Sequence, residues 1–145
     1  MLLGTYPTKI LAGRRVAVPS AFRSQLGETY ILARWYEECL VLVNKSLLSA
    51  LLTRITGGDK SIVEPIRLTE HFIFASAYEV LPDEQGRIVI PERLANYAKL
   101  TEQVYFLGVG DRVEIWNKEV WDEKESVVAK NAAEYIEQLS KKYGK

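Results

Sequence analysis

Arg15-Val16-Ala17-Val18-Pro19 returns as Arg87-Ile88-Val89-Ile90-Pro91, and the reading of this pair decides the fold. Arg15 and Arg87 stand 72 positions apart, and the correspondence continues outward from them. Tyr30-Ile31-Leu32-Ala33-Arg34 returns as Val104-Tyr105-Phe106-Leu107-Gly108. Leu40-Val41-Leu42-Val43-Asn44-Lys45 returns as Val113-Glu114-Ile115-Trp116-Asn117-Lys118, with Lys45 and Lys118 73 positions apart. Nearly constant spacing makes a chance match of short apolar runs a poor explanation. Residues 9–48 and 81–121 therefore read as two diverged copies of one small β unit. A duplicated unit builds a pseudo-symmetric domain, and such a domain suits a repetitive partner.

Each copy is read as strand, turn, strand, short helix, strand, strand. Val16 and Val18, like Ile88 and Ile90, alternate with Arg15 and Ala17 or Arg87 and Val89, so one strand face is apolar and the arginines point off it. Pro19 and Pro91 remove an amide donor and stop the strand. Helices are predicted over Ser20–Leu26, closed by Gly27, and over Glu92–Ala98. Strands follow at Tyr30–Arg34 and Leu40–Val43, then at Val104–Val109 and Arg112–Trp116. Gly108, Gly110 and Asp111 are assigned to the second hairpin turn, as residues suited to positive φ. Between the copies, Leu47–Ile55 and Ile66–Ala77 read as helices joined by a flexible Thr56–Lys60 loop. Val128, Ala132, Tyr135, Ile136, Leu139 and Tyr143 recur at helical spacing. That stripe is expected to pack on its own domain, with a neighbouring subunit as the alternative.

The 145 residues suffice for one domain with a core that needs no staple, and the composition is that of a globular protein. No apolar run reaches the roughly 20 residues of a membrane span, and no secretory signal is read at the N-terminus. Lone Cys39 cannot form an internal disulfide and is expected as a buried small hydrophobe. A cytoplasmic protein is expected. Zero net charge argues against a generic polyanion binder. Its distribution is less even, because residues 1–30 carry Lys9, Arg14, Arg15 and Arg23 against Glu28 alone.

Asp83-Glu84-Gln85-Gly86-Arg87, the preceding Phe74-Ala75-Ser76-Ala77, and the later Gly108-Val109-Gly110 with Glu114-Ile115-Trp116-Asn117-Lys118 resemble the MraZ family. In the first half Gly4, Tyr6, Arg15, Pro19, Phe22-Arg23, Arg34 and Cys39-Leu40 stand where that family's first repeat has its counterparts. The resemblance runs through Trp121. It implies an α+β fold: two SpoVT-AbrB-like β units forming one compact double-psi-barrel-like domain, with short helices and a C-terminal amphipathic helix. The expected division is 5–47 for the first unit, 48–75 for a helical connection, 76–119 for the second unit and 120–145 for the C-terminal helix.

The resemblance also implies a bacterial transcriptional regulator, nucleoid-associated, binding double-stranded DNA at short G-rich direct repeats upstream of the division and cell-wall gene cluster. A ring-like homo-oligomer is implied too, and several subunits on one assembly would gain affinity through effective concentration. No cofactor, metal or small-molecule substrate is implied. Arg15 and Arg87 are the expected base readers, since an arginine fork matches O6 and N7 of guanine. Asp83 is the expected orienter of Arg87, because a carboxylate facing phosphates is repelled. Lys9, Arg14 and Arg93 are the candidates for backbone contacts, which position without specifying sequence. The first unit departs from the pattern: Leu11 stands where the second has Asp83, and Arg14 where it has Gly86. Arg15 is thus expected to be held less firmly, with Arg14 compensating as a phosphate contact whose removal lowers affinity and flattens its salt dependence.

Rival classes fare worse. The one histidine, His71, beside Phe72 and Phe74, is expected as a satisfied structural imidazole. One His and one Cys cannot supply an ordinary zinc site, and no phosphate-binding glycine motif follows a strand. No Gly-Ser dipeptide exists from which a pyruvoyl group could form. Trp35, Trp116 and Trp121 could stack on bases, yet their positions favour core or subunit contacts. An AbrB-like antitoxin that binds its operator and a toxin is the alternative function, though such proteins usually carry one β unit and a long acidic tail. A domain that acts mainly on another protein, with vestigial DNA affinity, is the third reading.

Overall fold

In the computed structural model, which describes residues 1–58 and 63–144, the two arginine strands pair with each other. β2 (Arg15–Ala17) and β6 (Arg87–Val89) form a two-stranded antiparallel ribbon. Val16 faces Ile88 across it, and both are buried. The remaining strands are β1 (Leu2–Lys9), β3 (Tyr30–Trp35), β4 (Cys39–Asn44), β5 (Tyr78–Val80), β7 (Gln103–Gly110) and β8 (Val113–Asn117). They make one antiparallel sheet in the order β1-β7-β8-β4-β3-β5. Exchanging each strand for its counterpart in the other copy reverses this order and leaves it otherwise unchanged. The sheet therefore has a pseudo-twofold axis. That axis passes near the Val16–Ile88 pair of the ribbon and the Val41–Glu114 pair of the sheet. The copies interleave: β1 pairs with β7, β5 with β3, and β2 with β6.

Continuous apolar runs in β3 and β4 mean that both faces of the sheet are covered. Tyr30, Leu32, Leu40, Leu42, Phe106 and Ile115 face a core closed by the ribbon and by helices α1 (Ser20–Leu26) and α4 (Glu92–Tyr97). Ile31, Ala33, Trp35, Val41, Val43 and Trp116 face a second core under α2 (Leu48–Thr56), α3 (Glu64–Phe74) and the first turns of α5 (Lys118–Tyr143). Trp121 packs on this core 5.1 Å from Trp116, so the three tryptophans serve packing. Cys39 is buried as expected, and burial followed by the Glu114 charge raises its thiol pKa well above the usual range. Where the first copy has Val41, the second buries Glu114, which accepts from Trp116 Nε1 and from Arg112 Nε, both at 2.9 Å. The Arg112 guanidinium also stacks over the Trp35 ring at 5.4 Å.

Several expectations are corrected. Gly108 is no turn residue: it lies inside β7, and a Cβ there would meet the Leu3 backbone nitrogen at 2.5 Å. The α5 stripe does not pack on its own domain, because no residue of α5 is buried and Tyr135, Ile136, Leu139 and Tyr143 are exposed. His71 stands exposed on α3 rather than as a satisfied core imidazole. Residues 59 and 60 of the predicted loop lie outside the described residues.

Candidate nucleic-acid interface

Alternation places Val16 and Ile88 inward, so Arg15, Ala17, Arg87 and Val89 share the outer face of the ribbon. Arg15 stands opposite Val89 and Arg87 opposite Ala17, which sets the two arginines diagonally across a patch two strands wide. Diagonal neighbours of this kind are about 7–8 Å apart.

The loop before β6 builds its arginine carefully. Asp83 Oδ1 accepts the Gln85 amide at 2.8 Å and the Arg87 amide at 2.9 Å, while Oδ2 accepts Arg87 Nε at 3.0 Å. The Arg87 backbone bond, then its side-chain bond and the Gln85 amide, hold the Asp83 carboxyl below the usual aspartate value. That bond tethers the guanidinium through Nε, and among the described residues its Nη atoms make no hydrogen bond. The Asp83 amide donates to the Arg87 carbonyl at 2.9 Å, closing the hairpin.

The first copy keeps the frame and loses the brace. Leu11 N donates to the Arg15 carbonyl at 2.7 Å, the same backbone bond in the equivalent place. Leu11 has no carboxylate to offer, and the Arg15 side chain has no hydrogen-bond or ionic partner among the described residues. Its guanidinium instead lies over Gly13, where a Cβ would be 3.5 Å from Nε. Arg14 takes a left-handed conformation, φ 58°, and donates Nε to the Ile90 carbonyl at 2.8 Å.

The other candidates are dispersed. Lys9, at the end of β1, pairs with Glu102 at 3.1 Å with both side chains mostly in solvent, an arrangement of little energetic weight. Arg93 is exposed on α4 and shares a small hollow with Arg34, Ser76, Tyr78 and Tyr97, into which no ribbon residue reaches. Arg23, outside the set of candidate contacts, packs over Gly86, its guanidinium tip filling the space that a Cβ there would take. Nothing in the sequence signals that contact, since it joins helix α1 of one copy to the loop of the other.

Among the described residues no helix is long and apolar enough to cross a membrane, and no three His, Cys, Asp or Glu side chains gather as a metal site.

Residues 73–141 match the model of a family described as "MraZ protein, putative antitoxin-like". The chain is similar to the transcriptional regulator MraZ of Bifidobacterium longum (strain NCC 2705), 38% identical over 125 residues, covering 84% of this chain and 81% of the relative. It is 39% identical to the protein of that name from Acetivibrio thermocellus over 145 residues, covering 96% and 99%. The namesake from Thermoanaerobacter sp. (strain X514) is 37% identical over 148 residues, covering 97% and 99%. With matches of this identity spanning nearly the full length of both partners, the chain belongs to the MraZ family.

Proposed function

We propose that the chain regulates transcription by laying the β2–β6 ribbon in the major groove of double-stranded DNA. The observation that carries this reading is the placement of Arg15 and Arg87 on one outward ribbon face, with Arg87 braced through Nε and its Nη edge left open. B-DNA's major groove is about 12 Å wide and admits a two-stranded β-ribbon. A guanidinium tethered in advance loses less freedom when it meets O6 and N7 of guanine. The names of the relatives support the regulatory class. Arg14 retains nitrogens beyond its bonded Nε that suit a phosphate, and Lys9 and Arg93 are lesser contributors.

The wider reading places this in the cytoplasm, on the nucleoid. Its sites are short G-rich direct repeats upstream of the division and cell-wall gene cluster, held by a ring-like homo-oligomer that uses the exposed α5 stripe. The units are taken as 5–47 and 76–119, with 48–75 as connection and 120–145 as the C-terminal helix. Their interleaved strands support a shared double-psi-barrel-like body.

Fluorescence anisotropy with a G-rich repeat duplex tests the central step. Alanine at Arg87 or at Arg15 should each cost about 1–3 kcal/mol of binding and relax base preference. Equal affinity of the wild type and the Arg15→Ala/Arg87→Ala double variant for that duplex would refute the reading. The family description favours a second reading, an antitoxin that binds its operator and a toxin. Relief, on co-expression of this chain, of growth arrest caused by the product of an adjacent gene would select it.

A further inference from the structure

The ribbon face that carries the arginines also carries two apolar side chains, and they are not equivalent. Val89 stands directly opposite Arg15 and is 51% exposed. Ala17 stands directly opposite Arg87. The pseudo-twofold axis exchanges the two positions, so each half offers one arginine and one apolar group. Val89 belongs to neither buried core, and the inward place on its strand is filled by Ile88. Core packing therefore sets no demand for an apolar residue there, and strand preference alone would be met equally by a polar β-branched threonine. DNA could set one. In the major groove the one apolar mark on a base edge is the C5-methyl of thymine, and small apolar side chains are its usual readers. Directly opposed residues hold their Cβ atoms about 4.5–5.5 Å apart. Stacked bases are about 3.4 Å apart along the helix. An arginine on guanine thus sets the opposing side chain over a base one or two steps away.

We propose that Val89 reads the 5-methyl group of a thymine one or two base pairs from the guanine contacted by Arg15. Ala17, with a single methyl, makes a weaker contact in the half read by Arg87. This rests on the ribbon reading DNA as set out above. It adds a determinant that guanine recognition lacks, and it makes the two halves of the bound site unequal. The first half compensates for its unbraced arginine with an apolar contact. The second half relies on its braced one.

The test begins with selection of preferred duplexes from a randomised pool by the full-length protein. Each thymine of the winning sequence is then replaced in turn by uracil, which deletes only the 5-methyl group. At one position near the guanine whose preference disappears in Arg15→Ala, uracil should weaken wild-type binding about three- to fivefold, the scale of one buried methyl. Val89→Ala should weaken binding of the thymine duplex by up to a similar factor and lose most of the penalty for uracil, keeping only the weaker contact of a single methyl. Val89→Ile should keep the preference. Thermal melts of both variants, unchanged at this exposed site, exclude a folding effect. Selection that enriches G-containing duplexes with every uracil substitution neutral overturns the methyl reading and leaves the arginines standing. A pool that shows no enrichment overturns DNA reading itself, and this proposal with it.

Discussion

Arg14 and Gly86 occupy equivalent places in the two loops, and both adopt left-handed backbone, φ 58° and 77°. At Gly86 the backbone suits glycine, and the Arg23 guanidinium tip fills the space a Cβ would take. At Arg14 the conformation costs about 1–2 kcal/mol for an L-residue, and the bond from Nε to Ile90 O returns about 1 kcal/mol of it. The two loops therefore solve one backbone problem in opposite ways, with an arginine from inside the loop or from a helix of the other copy. Asp83 offers a pH signature at this scale. Its pKa is depressed in the folded state, so its contribution is present above the unfolded value of about 3.9 and is lost as pH falls through the lower folded value. The stability difference between wild type and Asp83→Asn, measured by denaturant melts, should be constant at neutral pH and close only on that acid side. A difference that instead changes between pH 5 and 8 would contradict the brace. The shared outward face of the two arginines was legible in the sequence because a repeated motif marks them, whereas Asp83, unrepeated, was marked only by the family resemblance. Arg23 was not, because its partner Gly86 is distant in sequence and carries no side chain to hint at a contact.

Strands β3 and β4 announce themselves as unbroken apolar runs, and the structure covers them on both faces. Helices α1 and α4 follow their prolines as expected. β1 is harder to read, because Leu2–Lys9 includes Gly4 and Pro7 and shows solvent along most of its length. What makes it a strand is its partner β7, about a hundred residues away, and periodicity holds no trace of such a partner. Gly108 was misplaced for the same reason. Its value lies in letting the β1 backbone approach, with Leu3 N 2.5 Å and Leu2 C 2.6 Å from a would-be Cβ. Backbone atoms of a paired strand cannot swing aside as a side-chain tip can. Gly108→Ala should destabilise the fold by about 2 kcal/mol or more, read from the urea midpoint. Hydrogen exchange should rise first in β1. A midpoint equal to wild type would mean that the two strands are not held as described.

At the scale of the whole molecule, the pseudo-twofold axis relates two halves that differ at the points that matter most. Glu114 replaces Val41 inside the second core, Asp83 replaces Leu11 in the loop, and α5 follows the second copy alone. The helical period of α5 was readable in the sequence, but periodicity reports a face and not what covers it. Ile136 and Leu139 are 64% and 57% exposed, so Ile136→Lys with Leu139→Lys should leave the monomer fold within about 0.5 kcal/mol. The same pair should lower the assembly mass in sedimentation velocity, and an unchanged mass would remove α5 from subunit contact. The interleaving has a last consequence, felt before the molecule is complete. As the chain leaves the ribosome, Leu2–Lys9 finds no strand partner until Gln103–Gly110 has been synthesised, and Arg15–Ala17 waits for Arg87–Val89. The nascent first half must then hold Val16 without Ile88, its partner across the ribbon. Folding of the shared body waits for the second copy, and a product stalled before it is left as a substrate for chaperones and proteases.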